Sequence, residues 1–166
     1  MSLQLVIAAM EQLIELHEEL ISVGHNKKQA IIDNDISALS RTLAQETRLL
    51  KKVSEAEERR IEGLNGFLRE KGIRSQLKLN ITEMTRLVFD PEEKQRLISV
   101  QERLSKVLHT LKELNSVNKE LVEQSLAFID YSLNLLVEKP EDNMLYQHPV
   151  KQRNDSPSRS FFDTRA

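Results

Sequence analysis

Apolar residues recur at steps of three and four along most of residues 3–137, the spacing that keeps one helical face against a neighbour. The longest such stripe reads Leu97, Val100, Leu104, Val107, Leu111, Leu114, Asn118, Leu121, Ser125, Phe128, Ser132, Leu135, a heptad seam. An earlier run, with Leu3, Val6, Ile7, Met10, Leu13, Ile14, Leu16, Leu20, Ile21 and Val23, predicts a first helix to Ile32 with a broad apolar face. Gly24 and His25 interrupt it, but the helical pattern resumes through Ala30, Ile31 and Ile32, and one interior glycine costs only about 1 kcal/mol relative to alanine. Asp33-Asn34-Asp35 is the clearer stop. A second helix then follows from Ile36 to Glu70 on Ile36, Leu39, Leu43, Leu50, Val53, Leu64 and Phe67. The short connection favours an antiparallel hairpin.

Lys71-Gly72-Ile73-Arg74-Ser75 closes that hairpin, and a short helix is expected over Ile81–Val88 with Asn80 as N-cap and Glu83 as the returning carboxylate. Asp90-Pro91-Glu92-Glu93 then sets a cap, a first-turn proline and acidic residues at the start of the last helix. With no glycine or proline between Pro91 and Pro140, that helix can reach about 72 Å, against about 45 to 54 Å for the first two, an expected overhang of about 20 Å. The fold class is therefore all-α: an elongated antiparallel, coiled-coil-like bundle of three long helices and one short one. The expected domain is 1–139. Residues 140–166 hold three of the four prolines and no sustained apolar period, and read as a disordered, flexible C-terminal tail with Leu145, Tyr146, Phe161 and Phe162 as apolar exceptions.

Composition agrees with a single helical domain: 166 residues, 39% hydrophobic, 30% charged, four glycines and no tryptophan. The 24 basic and 26 acidic residues are interspersed and leave a net charge of -2, so no overall field favours nucleic acid or an anionic membrane. Lack of cysteine removes disulfides, thiolate metal sites and cysteine nucleophiles. The Leu3–Met10 apolar run lacks a basic leader and soon meets Glu11 and Glu15, and no stretch approaches membrane-spanning length. These features lead to a cytoplasmic reading without membrane insertion.

A search for chemistry yields little. No histidine has a glutamate three residues before it, as a di-iron carboxylate bundle requires, and His109–Glu113 reads as a solvated surface pair. No phosphate-cradling loop or nucleophile elbow occurs. Glu46, Glu57 and Arg60 lie on or beside the stripe of the second helix, where a polar pocket would be conceivable, but polar seam positions usually set register or reach solvent. Asn118 is read as a register-fixing residue for the same reason. No catalytic residue, metal or cofactor is assigned.

Toward the C-terminal end of the long seam, Asn118, Ser125 and Ser132 thin it while Val122, Leu126, Ile129, Leu133 and Leu136 appear beside it. An apolar face that widens in this way needs cover. The first helix or the short third one can supply it, as can self-association, or an amphipathic helix of another protein lying in a groove.

The order of elements, with LISVGHNKKQAIIDNDISALSRTLAQETRLL, EAEERR and LKELNSVNKELVEQSLAFIDYSLNLL, resembles the FlgN family of flagellar export chaperones over nearly the whole chain. The likeness rests on the turn at Asp33–Asp35, Glu46 before Leu49-Leu50, Arg59 after an acidic run, and Asn115/Asn118 before Leu121 and Phe128; the ending SFFDTRA is similar to some Gram-positive members. It implies a chaperone of the flagellar type III secretion system that holds helical terminal segments of hook-filament junction proteins, prevents their premature assembly and delivers them to the export gate and its ATPase apparatus. It also implies client contacts at the end of the last helix, on Leu121, Val122, Leu126, Phe128, Ile129, Leu133 and Leu136. Tyr146, in Leu145-Tyr146, is similar to the family element associated with docking at the export gate, although the nearby glycine is lacking. The free protein is expected to be a monomer or weak homodimer. A self-associating coiled-coil adaptor without export clients is the alternative.

Overall fold

A computed structural model describes residues 2–73 and 80–137, which form four helices and no strand. Helix α1 spans Ser2–Ile32, α2 Ile36–Glu70, α3 Ile81–Leu87 and α4 Pro91–Val137. Residues 1–129 make one compact unit, and a second begins at Asp130 within α4. The expected boundary at 139/140, the tail and Tyr146 lie outside the described residues.

The local chemistry that sets the helix ends is clear. Asn34 adopts φ 54°, the left-handed conformation that asparagine tolerates better than most residues. There the Asp35 N–H donates to the Ala30 carbonyl at 2.9 Å and the Asn34 N–H to that of Ile31 at 3.2 Å, satisfying the last carbonyls of α1. Asp35 then caps α2, its Oδ1 accepting from the Ala38 N–H at 2.9 Å. Gly72 (φ 73°) repeats the device after α2: the Ile73 N–H donates to the Leu68 carbonyl at 2.9 Å, and Ile73 packs on the core that holds Leu68. Glu83 returns its Oε2 to the Asn80 N–H at 2.9 Å, and Asp90 Oδ1 accepts from the Glu92 N–H at 3.0 Å ahead of α4.

Helix α1 is the central element. One core cluster joins its Leu3, Val6, Ile7, Met10 and Ile14 to α2 (Leu64, Phe67, Leu68), to α3 and its cap (Met84, Val88) and to α4 (Leu97, Val100). A second joins Leu13, Leu16 and Leu20 to Leu49 and Ala56 of α2, with Leu104 and Leu111 of α4 packed against it. Met84 is fully enclosed, so Met84→Ala is expected to cost about 2 to 5 kcal/mol. The urea midpoint measures this; an unchanged midpoint would mean that α3 is not part of the folded core.

The expected face of α2 is buried at Leu64 and Phe67 but differs in the first half of the helix. Ile36, Leu43 and Leu50 are exposed, while Thr42, Leu49, Ala56 and Gly63, one heptad line over, are buried. Small residues let the backbones of α1 and α2 approach. A Cβ on Gly63 would stand 3.1 Å from the Val6 backbone nitrogen and 3.0 Å from its Cγ2.

Candidate functional site

The seam of α4 is buried at Leu97, Val100, Leu114 and Asn118 and half-buried at Leu104, Val107, Leu111, Leu121 and Ser125. It then opens, with Phe128 71% exposed and Leu135 55% exposed. Beside it, Val122, Leu126 and Ile129 are exposed, and so are Tyr131, Leu133, Leu136 and Val137 in the last turns of α4. Of the residues expected to meet a client, Leu121 alone is half-buried. Helix α3 does not supply the cover expected of it: Met84 and Val88 pack against Leu97 and Val100, near the other end of α4. Among the described residues no helix packs over Val122, Leu126, Phe128 and Ile129, which stay exposed.

Asn118 anchors α4 where the seam begins to open. It is 2% exposed, and its Nδ2 donates to the Gly24 carbonyl at 2.9 Å. Gly24 is therefore a crossing point and no break in α1: a Cβ there would lie 2.7 Å from Leu114 Cδ2. Asn118 Oδ1 is buried with no hydrogen-bond partner, a desolvation cost that leucine would not carry. Asn118→Leu is expected to raise folding stability by about 1 kcal/mol while loosening the α1–α4 register that the amide sets. Equilibrium denaturation checks the first and sedimentation the second; a lower midpoint would show that the bond to Gly24 outweighs the unpaired oxygen.

Two grooves flank this part of α4. One, of about 640 Å³, lies between α2 and α4 over α1 and is lined by Leu39, Leu43 and Leu50 on one wall and Leu111, Asn115 and Val122 on the other. The second, about 390 Å³, is lined by Ile31, Ile32 and Asn34 at the α1–α2 turn and by Leu121, Ser125, Phe128 and Ile129. Four residues expected from the sequence thus meet groove walls on the two flanks of one helix. The α2 wall was missed, because its leucines read as an internal seam.

The three polar residues singled out on α2 do not meet in one pocket. Glu46 pairs with Lys27 of α1 at 2.9 Å, both half-buried in the first groove. Glu57 instead holds Arg60, accepting from its Nε at 2.8 Å, a hydrogen bond that raises the guanidinium pKa above its ordinary value. His109 and Glu113 form an exposed pair at 3.3 Å. Among the described residues no three His, Asp or Glu side chains gather as a metal site would require, and no helix is long and apolar enough to cross a membrane.

A family model described as FlgN protein matches residues 1–154. An uncharacterized protein, YvyG of Bacillus subtilis (strain 168), is 29% identical over 167 aligned residues, covering 100% of each chain. No solved structure matches.

Proposed function

Since the chain belongs to the FlgN family of flagellar export chaperones, we propose that it binds helical terminal segments of hook-filament junction proteins in the cytoplasm, prevents their premature assembly and delivers them to the export gate. The observation that carries this reading is the run of exposed apolar residues on α4, Val122, Leu126, Phe128, Ile129, Leu133 and Leu136, on a chain otherwise rich in charge. Such a run on one helix fits a partner that is itself an amphipathic helix.

The function requires no bond chemistry. A client terminus that is unstructured before assembly folds on the apolar face, so the groups that would drive self-association are buried on the chaperone. Burial contributes about 25 cal/mol per Å², and the cost of ordering the client offsets much of it. The resulting moderate affinity suits a factor that must release its cargo. Tyr146, outside the described residues, is the candidate contact to the export gate. The free protein is a monomer or weak homodimer.

Pull-down of purified terminal helices of the junction proteins by the full chain tests the reading. Retention of those segments, and no retention of an equally apolar helix from an unrelated protein, is expected. A concentration-independent oligomer that excludes the client helices would favour the self-associating adaptor.

A further inference from the structure

We propose that the slot between α2 and α4 is a helix-binding site, and that α3 marks the geometry of its occupant. On α2, residues 36, 43, 50, 57 and 64 are spaced by seven, and on α4 so are 101, 108, 115 and 122; each set runs as one line along its helix. At one end of these lines α3 fills the space: Met84 and Val88 share a core with Leu64, and Gln101 Nε2 donates to Thr82 Oγ1 at 3.3 Å. Farther along the same lines, Leu43 and Leu50 face Asn115 and Val122 across the open groove. Leu43 is 48% exposed, Leu50 57%, and Ile36, beyond them, 69%.

The open stretch therefore continues an interface that the protein has already built with a helix. From Ile36 to Leu50 it is about 21 Å long, or four helical turns. Both walls have a helical period, so an occupant matches them over that length only if it is itself a helix with apolar residues at i, i+3 or i+4, and i+7. The charged residues lining the groove balance in two pairs, the half-buried Lys27–Glu46 at 2.9 Å and the exposed Lys119–Glu123 at 3.8 Å, so the groove carries no net charge and its apolar walls are what a partner meets. The occupant is an amphipathic helix of another protein, entering beside α3 in the slot. This rests on the chaperone reading and deepens it: the client contacts α2 through Leu43 and Leu50 as well as α4.

The test is fluorescence anisotropy of a labelled terminal-helix peptide of a junction protein, titrated with the full chain. Leu43→Asp combined with Leu50→Asp should weaken binding at least tenfold, whereas Val117→Asp, on the other flank of α4, should change it less than twofold. Because the chain has no cysteine, Leu50→Cys should also cross-link to a peptide bearing one cysteine on its apolar face, and Val117→Cys should not; this arm decides the matter if the double aspartate variant fails to fold. Equal binding by wild type and the double variant, with no cross-link, overturns the slot while leaving the chaperone reading intact. A wild-type dimer that the double variant dissociates, and that the peptide does not displace, overturns it in favour of a second copy. Absence of binding to every junction-protein terminus defeats the chaperone reading itself.

Discussion

Replacing Leu126 and Leu133 together by aspartate is expected to abolish binding of junction-protein termini while leaving helicity nearly unchanged. Leu126 is 56% exposed and Leu133 52%, and neither belongs to a core cluster, so two carboxylates there desolvate little in the free protein. In a complex the same positions would lie against the client's apolar face, and burying an unpaired carboxylate costs several kcal/mol. Two such sites exceed what a moderate-affinity complex has to lose: a micromolar complex amounts to about 8 kcal/mol. Circular dichroism with isothermal titration checks both halves. Retained binding would remove the end of α4 from the interface, and collapsed helicity would mean these residues hold the fold.

Gly63→Leu is expected to have the largest effect on stability. The added Cβ alone would press on the Val6 backbone nitrogen at 3.1 Å and the Leu5 Cβ at 3.4 Å. A backbone atom cannot turn aside as a side-chain terminus can, so α1 and α2 must separate along the contact that also buries Ala56 and Leu64. Overpacking of a tight core costs about 1 to 3 kcal/mol, occasionally more, and the rigid neighbour places this case at or above about 3 kcal/mol. Gly63→Ala should be far milder, because its gain in helix propensity, about 1 kcal/mol, offsets part of the compression. Thermal unfolding of both variants measures the difference. A Gly63→Leu variant as stable as wild type would show that α1 and α2 are not held at this separation.

The helix ends were legible because their signals are local. Asp33-Asn34-Asp35, Lys71-Gly72 and Asp90-Pro91 act on the adjacent backbone, and the helices begin and end beside them. The α2 face was not legible in the same way. Leu64 and Phe67 are buried as their hydrophobicity suggests, but Leu43 and Leu50 are larger than Thr42, Ala56 and Gly63, so in the first half of α2 hydrophobicity pointed to the wrong heptad line; close backbone approach selects small residues, and a single sequence does not reveal which neighbour approaches. Gly24 was hidden for a related reason, since its role depends on Leu114 and Asn118, about ninety residues away. The apolar run at the end of α4 could be seen in the sequence, but its exposure could not, because that depended on α3 packing near Leu97 instead.

Capture of unstructured helical termini on an open apolar surface is measured by calorimetric titration of the full chain with the terminal segment of a junction protein, followed by circular dichroism of the mixture. Saturable binding with a negative heat-capacity change is expected, with more helix in the mixture than in the sum of its parts. No heat at any temperature, or binding without any gain in helix, would contradict it.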